Sequence, residues 1–263
     1  MRDWGELAIM REQYFWRRSP ASSERRTMPP RRLACLLFPL LVLLDPTSAR
    51  AAGGAYVVDD AEIAKPGDCK VESWVALASN HDLQAITQPS CVVKLGIPVE
   101  LTGSFARVRS EGVWQTQVGP KVKINILPVE TGKVGIGIVD QAAWDGATGQ
   151  YIFNMLYVPL TFQLSDNFRI NLNVGWQSDG VNRVDDVYWG GGFEWNFVKP
   201  LTLIGEVFGL AGPPVDPIGV TEPRAQLGLR VTPKDNFDID LIYGRNVGGE
   251  NANWLTLGLN VRF

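Results

Sequence analysis

From Leu255 to Phe263 every odd position is apolar, and from Thr256 to Arg262 every even position is small or polar. Alternation of period two makes a strand with one greasy face and one wet face. The pattern recurs upstream. Phe168, Ile170, Leu172, Val174 and Trp176 oppose Arg169, Asn171, Asn173 and Gly175. Ala225, Leu227, Leu229 and Val231 oppose Gln226, Gly228 and Arg230, and Val118, Pro120, Val122, Ile124 and Ile126 oppose Gly119, Lys121, Lys123 and Asn125. Residues 236–243 follow the rule with Ile242 as the exception. A strand buried on both faces would be apolar on both. A chain of half-wet strands that stops on an aromatic residue suits a closed barrel with lipid outside and a lumen inside.

Ten strands are expected over 99–108, 113–126, 133–140, 151–164, 168–178, 187–197, 201–210, 223–232, 236–246 and 253–263. Two more are expected over 69–78 and 89–95, with Gly96-Ile97-Pro98 as the turn into the next. The expectation is an all-β, antiparallel, up-and-down transmembrane β-barrel of about 12 strands, closed around a polar lumen. The alternative has 10 strands, with the first pair as a periplasmic plug or cap. Connection lengths alternate as well. Backward from the terminus, Val247–Ala252 is a loop and Pro233–Asp235 a tight turn; Ala211–Glu222 is long and Val198-Lys199-Pro200 tight; Asp179–Asp186 is a loop and Ser165-Asp166-Asn167 tight. Such barrels keep short turns in the periplasm and longer loops outside, so Phe263 should end at the periplasmic rim.

The amino-terminal region reads as processing signals. Arg31-Arg32 precedes the apolar run Leu33 to Leu44, and Ala49-Arg50-Ala51 offers a cleavage site, the pattern of a secretory signal peptide over 28–51. Met28 is the expected start, which makes 1–27 an upstream extension of the gene. Residues 52–68 are expected as a short periplasmic segment, and 69–263 as the barrel. Cys35 precedes most of the apolar run, the wrong place for a lipidated cysteine. Removing residues 1–51 takes 9 of 25 basic and 5 of 28 acidic side chains, leaving a net charge of −7. That balance disfavours nucleic acid as a partner. Cys69 and Cys91 remain, an even count in an exported chain; they are a disulfide candidate, with two free thiols as the alternative.

The stretch from Phe193 to Glu206, with Phe237 to Arg245 and the final strand, resembles a group of small proteobacterial outer-membrane barrels, including the porin-like barrels named after the meta-pathway of phenol degradation. The resemblance covers roughly 69–263. It implies a Gram-negative outer-membrane location and a carboxyl-terminal strand read by the barrel-assembly machinery. No catalytic motif comes with it.

The alternation puts Glu100, Lys121, Lys123, Lys133, Arg169, Glu194, Glu206, Arg224, Arg230, Asp238, Asp240 and Arg262 in the lumen, seven basic against five acidic groups. A three-residue turn would set Arg230 opposite Asp238, and the last hairpin would set Asp238 opposite Arg262. Lys121, Lys123, Arg169, Glu194, Glu206, Arg230, Asp238, Asp240 and Arg262 are therefore candidates for a charged constriction that selects solutes. A salt-bridge network that fills a narrow barrel competes with that reading. Trp176, Trp195, Phe197, Tyr243 and Phe263 fall on the outer face, where aromatic girdles anchor barrels in lipid. Glycines gather on the inner face, Gly119, Gly175, Gly190 and Gly228 among them, as expected where strands bend or pack closely. Tyr151, Phe153, Met155 and Tyr157 share one face whose direction the alternation leaves open.

Catalysis is not expected. The single histidine, His81, lies in a connection beside Asp82 and near Ser79, a grouping common by chance. Asp179, Asp185 and Asp186 match no calcium-loop spacing, and no metal or cofactor is expected. The sequence thus points to a narrow porin-like channel for small solutes, aromatic or apolar ones among them, with outer-membrane lipid as its surroundings. A structural or surface-interaction barrel with a plugged lumen is the alternative, and a lipid-modifying barrel enzyme ranks third.

Overall fold

Each half-wet segment can bury neither face against water alone, and each leaves its backbone groups unpaired. Rolling the strands into one closed sheet solves both problems, since every backbone group gains a neighbour and no edge is left. The computed structural model, which describes residues 54–212, 223–248 and 251–263, has this form. Twelve antiparallel strands run in order: β1 (Cys69–Ala78), β2 (Leu83–Leu95), β3 (Ile97–Ser110), β4 (Val113–Leu127), β5 (Val134–Asp145), β6 (Tyr151–Ser165), β7 (Phe168–Asp179), β8 (Val184–Val198), β9 (Leu201–Ala211), β10 (Arg224–Lys234), β11 (Phe237–Asn246) and β12 (Asn253–Arg262). Each pairs with the next, and β1 closes the barrel against β12 from Lys70↔Arg262 to Ala78↔Trp254. The ten-strand alternative is excluded, because β1 and β2 are ordinary staves of the wall.

The second strand begins at Leu83, six residues before its expected start at 89. There the alternation is inverted in chemistry: Ile86 points inward into an apolar cluster, while the outward positions include Ala85 and Thr87. The same inversion hid the far half of β5, where Val139 and Ala143 are buried inside and Asp140 is exposed outside.

Two-residue hairpins need backbone with positive φ. Glu111 and Gly112, between β3 and β4, supply φ of 49° and 82°. The tightest links at the other end, Gly96, Asp166-Asn167, Lys199-Pro200 and Asp235-Asn236, lie with Cys69 and the carboxyl-terminus. Call this the terminus end, and the opposite rim the far end. Cys69 and Cys91 are register partners and form a disulfide there, with a Cα–Cα distance of 4.1 Å.

The outer wall is a band of exposed Leu, Val, Ile and aromatic side chains. Trp195, Phe197 and Phe263 sit near the terminus end, and Trp176 and Tyr243 nearer the far end. Two aromatic levels flanking an apolar band match the demands of two membrane interfaces.

Candidate functional site in the lumen

The inner wall carries buried charge, and buried charge requires partners. Near the terminus end, three pairs come from the wall alone. Arg230 grips Asp240 with two hydrogen bonds, Nε to Oδ1 at 2.7 Å and Nη2 to Oδ2 at 2.9 Å. Arg169 holds Glu194 in the same forked way, at 2.7 and 2.8 Å. Arg262 pairs with Asp238, which also accepts the Thr232 hydroxyl. The expected opposition of Arg230 and Asp238 is corrected. The register shifts between Val231 and Lys234, which sets Arg230 across from Asp240. Across the last hairpin Asp238 faces Asn260, and Arg262 reaches it diagonally.

Lys121 and Lys123 find no such partner on the neighbouring strands. Their partners come from residues 54–62, the part of the chain ahead of β1. Lys121 Nζ lies 2.7 Å from Asp59 Oδ2. Lys123 Nζ, with its side chain only 4% exposed, contacts Asp59 Oδ1 at 2.9 Å and Asp60 Oδ1 at 3.1 Å. Arg169 extends a third nitrogen, Nη1, to Glu62 at 2.9 Å. Tyr56 places its ring 5.2 Å from the Arg230 guanidinium, a cation–π contact.

Residues 54–62 therefore thread the lumen. Within the segment 52–68, expected as periplasmic, residues 54–62 instead lie in the barrel: Val58, Asp60 and Ala61 are almost wholly buried there. The segment joins no ladder, so wall side chains must satisfy its backbone. Glu206 accepts the amides of Val57 and Val58 at 3.0 and 3.2 Å. Asn173 accepts the Asp59 amide and donates to the Asp59 carbonyl, both at 2.7 Å. Thr161 accepts the Ala61 amide, Asn125 donates to the Ala61 carbonyl, and Tyr188 donates to the Val57 carbonyl. Two inner-wall glycines are seats for this plug. A Cβ on Gly228 would stand 2.4 Å from the Tyr56 hydroxyl, and one on Gly190 would stand 2.9 Å from Val58.

Burial pushes Asp60 up to about 7, with Lys123 and Arg169 pulling against it and Asp59 and Glu62 adding repulsion. Burial disfavours the Asp59 carboxylate too, but the ammoniums of Lys121 and Lys123 outweigh it and hold this group well below the usual range. Burial also raises the Tyr56 hydroxyl, helped by Asp240.

Nearer the far end the lumen changes character. A cavity of about 140 Å³ lies over the plug. Gln84, Gln88, Gln141, Gln226 and Arg224 line it together with Trp74, Tyr157, Tyr188, Phe208 and Trp254. Phe153, Met155 and Tyr157 face inward and pack with Val139, Tyr188 and Leu210, whereas an irregularity before Phe153 takes Tyr151 off that face and sets it against Trp144.

All nine constriction candidates lie on the inner wall, seven of them toward the terminus end, while Lys121 and Glu206 sit mid-barrel across from Gln141 and Gln226 of the cavity. Lys133, also expected in the lumen, is instead exposed in the β4–β5 turn and pairs with Glu130. The residues missed were Asp59, Asp60 and Glu62 of the plug, with Lys70 and Glu72 on β1, where Lys70 bridges Glu72 and Glu100. A signal for the plug was present: a wall with a basic surplus, preceded by an acidic stretch. His81 belongs to the β1–β2 turn, and its carbonyl accepts two bonds from Arg109. Asp82 accepts the Glu111 amide and the Asn80 amide group, and Asp179 accepts the amides of Val181 and Asn182. These acids shape their loops.

The sequence pattern of one family matches residues 40–263, which includes the plug and the whole barrel. The chain belongs to the family described as Uncharacterised conserved protein UCP029691. No curated protein matches it. Among solved structures it is similar to the NanC porin, with 9% identity, TM-score 0.59, and coverage of 73% of this chain and 98% of that one. It is similar to the KdgM porin in complex with disordered oligogalacturonate, at 10% identity, TM-score 0.56, and 74% and 99% coverage. It is also similar to the COG4313 outer membrane channel from Pseudomonas putida F1, at 14% identity, TM-score 0.56, and 78% and 98% coverage. At these identities the likeness is one of fold: the chain has the porin-like barrel of outer-membrane channels.

Proposed function

We propose that this protein is an outer-membrane channel for small solutes, closed by its own residues 54–62, and that solute passes when that segment leaves the lumen. The observation that carries the reading is how the plug is bonded. It shares no ladder hydrogen bond with the wall, and side chains alone hold it, so it can detach without opening the sheet. The porin-like fold and the outer band of apolar and aromatic side chains support placement in the outer membrane, with the terminus end in the periplasm. The cavity over the plug is close to the size that takes up a single aromatic ring, about 150 Å³. Its rings and amides suit a small ring-bearing solute that carries hydroxyl or carboxyl groups.

Conductance in planar bilayers tests the proposal. The full-length protein should be nearly silent, and a variant lacking residues 54–62 should conduct steadily. Folding of the variant is checked by heat-modifiable gel migration. A folded deletion variant that stays silent would sink the channel and leave a structural barrel.

A further inference from the structure

Two arginines stand on the outside of the barrel, where a charge facing lipid is destabilising. Arg107 and Arg109 lie on β3 toward the far end and flank the ring of Trp114, 5.1 and 5.5 Å from its centre. Arg107 donates to the Thr116 hydroxyl at 2.6 Å, and Arg109 to the His81 carbonyl. Among the described residues no carboxylate lies within ion-pair distance of either. Neither contacts the lumen or the plug, so the channel does not explain them.

Beside Arg107 the outer wall is indented. Ala85 is its register partner on β2, and Val75 on β1 is the partner of Ala85. Next to them lie Thr87 and Ser73, whose hydroxyls bond each other at 2.8 Å. These short side chains lie between Phe105 on one flank and Leu257 and Ile239 on the other. The depression is open to the outside, measures about 690 Å³ and is almost wholly apolar.

We propose that this face binds one phosphate-bearing lipid of the outer leaflet, with an acyl chain in the depression and the phosphate on Arg107 and Arg109. The occupant follows from charge complementarity. Two cations without acid partners, Arg107 on the edge of the apolar trough and Arg109 one step beyond it, lie at the level of an aromatic girdle, where an anionic headgroup and its chain meet. The far-end position selects the outer leaflet, whose phosphate-bearing lipid is an acylated glycolipid. The inference needs the outer-membrane placement and does not need the lumen to conduct.

Native mass spectrometry of the full-length protein in mild detergent tests it, with diphosphoryl lipid A as the probe. The wild type should retain a one-lipid adduct, and dephosphorylated lipid A should bind about tenfold more weakly or worse. Arg107→Gln with Arg109→Gln should lose the preference for phosphate. Ala85→Phe, which fills the trough and keeps both charges, should weaken the adduct about tenfold. Heat-modifiable migration confirms that each variant is folded. Equal binding of phosphorylated and dephosphorylated lipid A to the wild type would overturn the proposal, as would an adduct indifferent to both variants. Tighter retention of phosphatidylglycerol than of lipid A would overturn the outer-leaflet source.

Discussion

The two halves of the lumen solve burial differently. Toward the terminus end, the wall presents Lys121, Lys123, Arg169, Glu194, Arg230 and Asp240, and these groups remain inside only because ions meet ions. Several partners come from a segment more than sixty residues away in sequence. Toward the far end, glutamines and aromatic rings predominate around a cavity that Arg224 and Lys121 also line, and Gln226 donates to Glu206. A buried charge is costly when its partner leaves, whereas an amide or ring exposed to lumen water loses little. In the proposed channel the charged half seats the plug, and the amide-and-ring half is the space that solute enters.

The largest expected effect comes from removing the seat's occupant. Deleting residues 54–62 should raise single-channel conductance about tenfold or more over the full-length protein, since it clears the plugged half of a slim barrel. Next is Lys123→Met, which leaves Asp59 and Asp60 short of their shared cation. Breaking a buried pair costs about 3–5 kcal/mol, read as a lowered urea midpoint for the intact protein and reduced closure in bilayers. A far-half change of similar volume, Gln88→Leu, should not alter closure; if it did, the division between the halves would fail.

Replacing Cys69 and Cys91 with serine should cost about 3 kcal/mol in unfolding, because the bridge spans a separation of 22 residues. Closure should survive, since the bridge joins β1 to β2 and touches no plug side chain. Loss of closure in the double-serine variant would make the disulfide part of the seat.

A pH effect of at most tenfold per unit follows from Asp60. In water its carboxyl titrates near 3.8, and in the seat it holds its proton up to about 7. Between those values the plugged form binds more protons than the released form. Acid therefore favours closure, and rising pH favours opening. Asp59 shifts the other way, so its contribution is present above 3.8 and fades only below it, outside this window. Open probability should rise between about pH 4 and 7, and Asp60→Asn should flatten that rise. The smallest effect belongs to Gln88→Ala, which removes a 3.1 Å bond to Ser104 and should cost about 1 kcal/mol without altering conductance.

How much of this was legible in the sequence depended on whether chemistry tracked geometry. Where outward meant apolar and inward meant polar, as in β7, β10 and β12, strand and facing were both readable. Around Ile86 and Ala85 the inside is greasy and the outside small, so the sequence pattern starts this strand six residues late. Alternation sets Arg230 inside, but its partner is not readable, because an irregularity after Val231 moves the register by an amount no pattern encodes. The plug was hidden for a different reason. Residues 54–62 have no periodicity, since they follow neither a helix nor a strand.

Alternation alone determined a closed barrel and the inward face of the nine constriction candidates, because a pleated strand sends successive side chains to opposite sides. Only the tertiary structure decided what fills the lumen. Lys121 and Lys123 are inward in any register, but Asp59 and Asp60 reach them through space, and a contact that is not periodic along the chain leaves no period in the sequence.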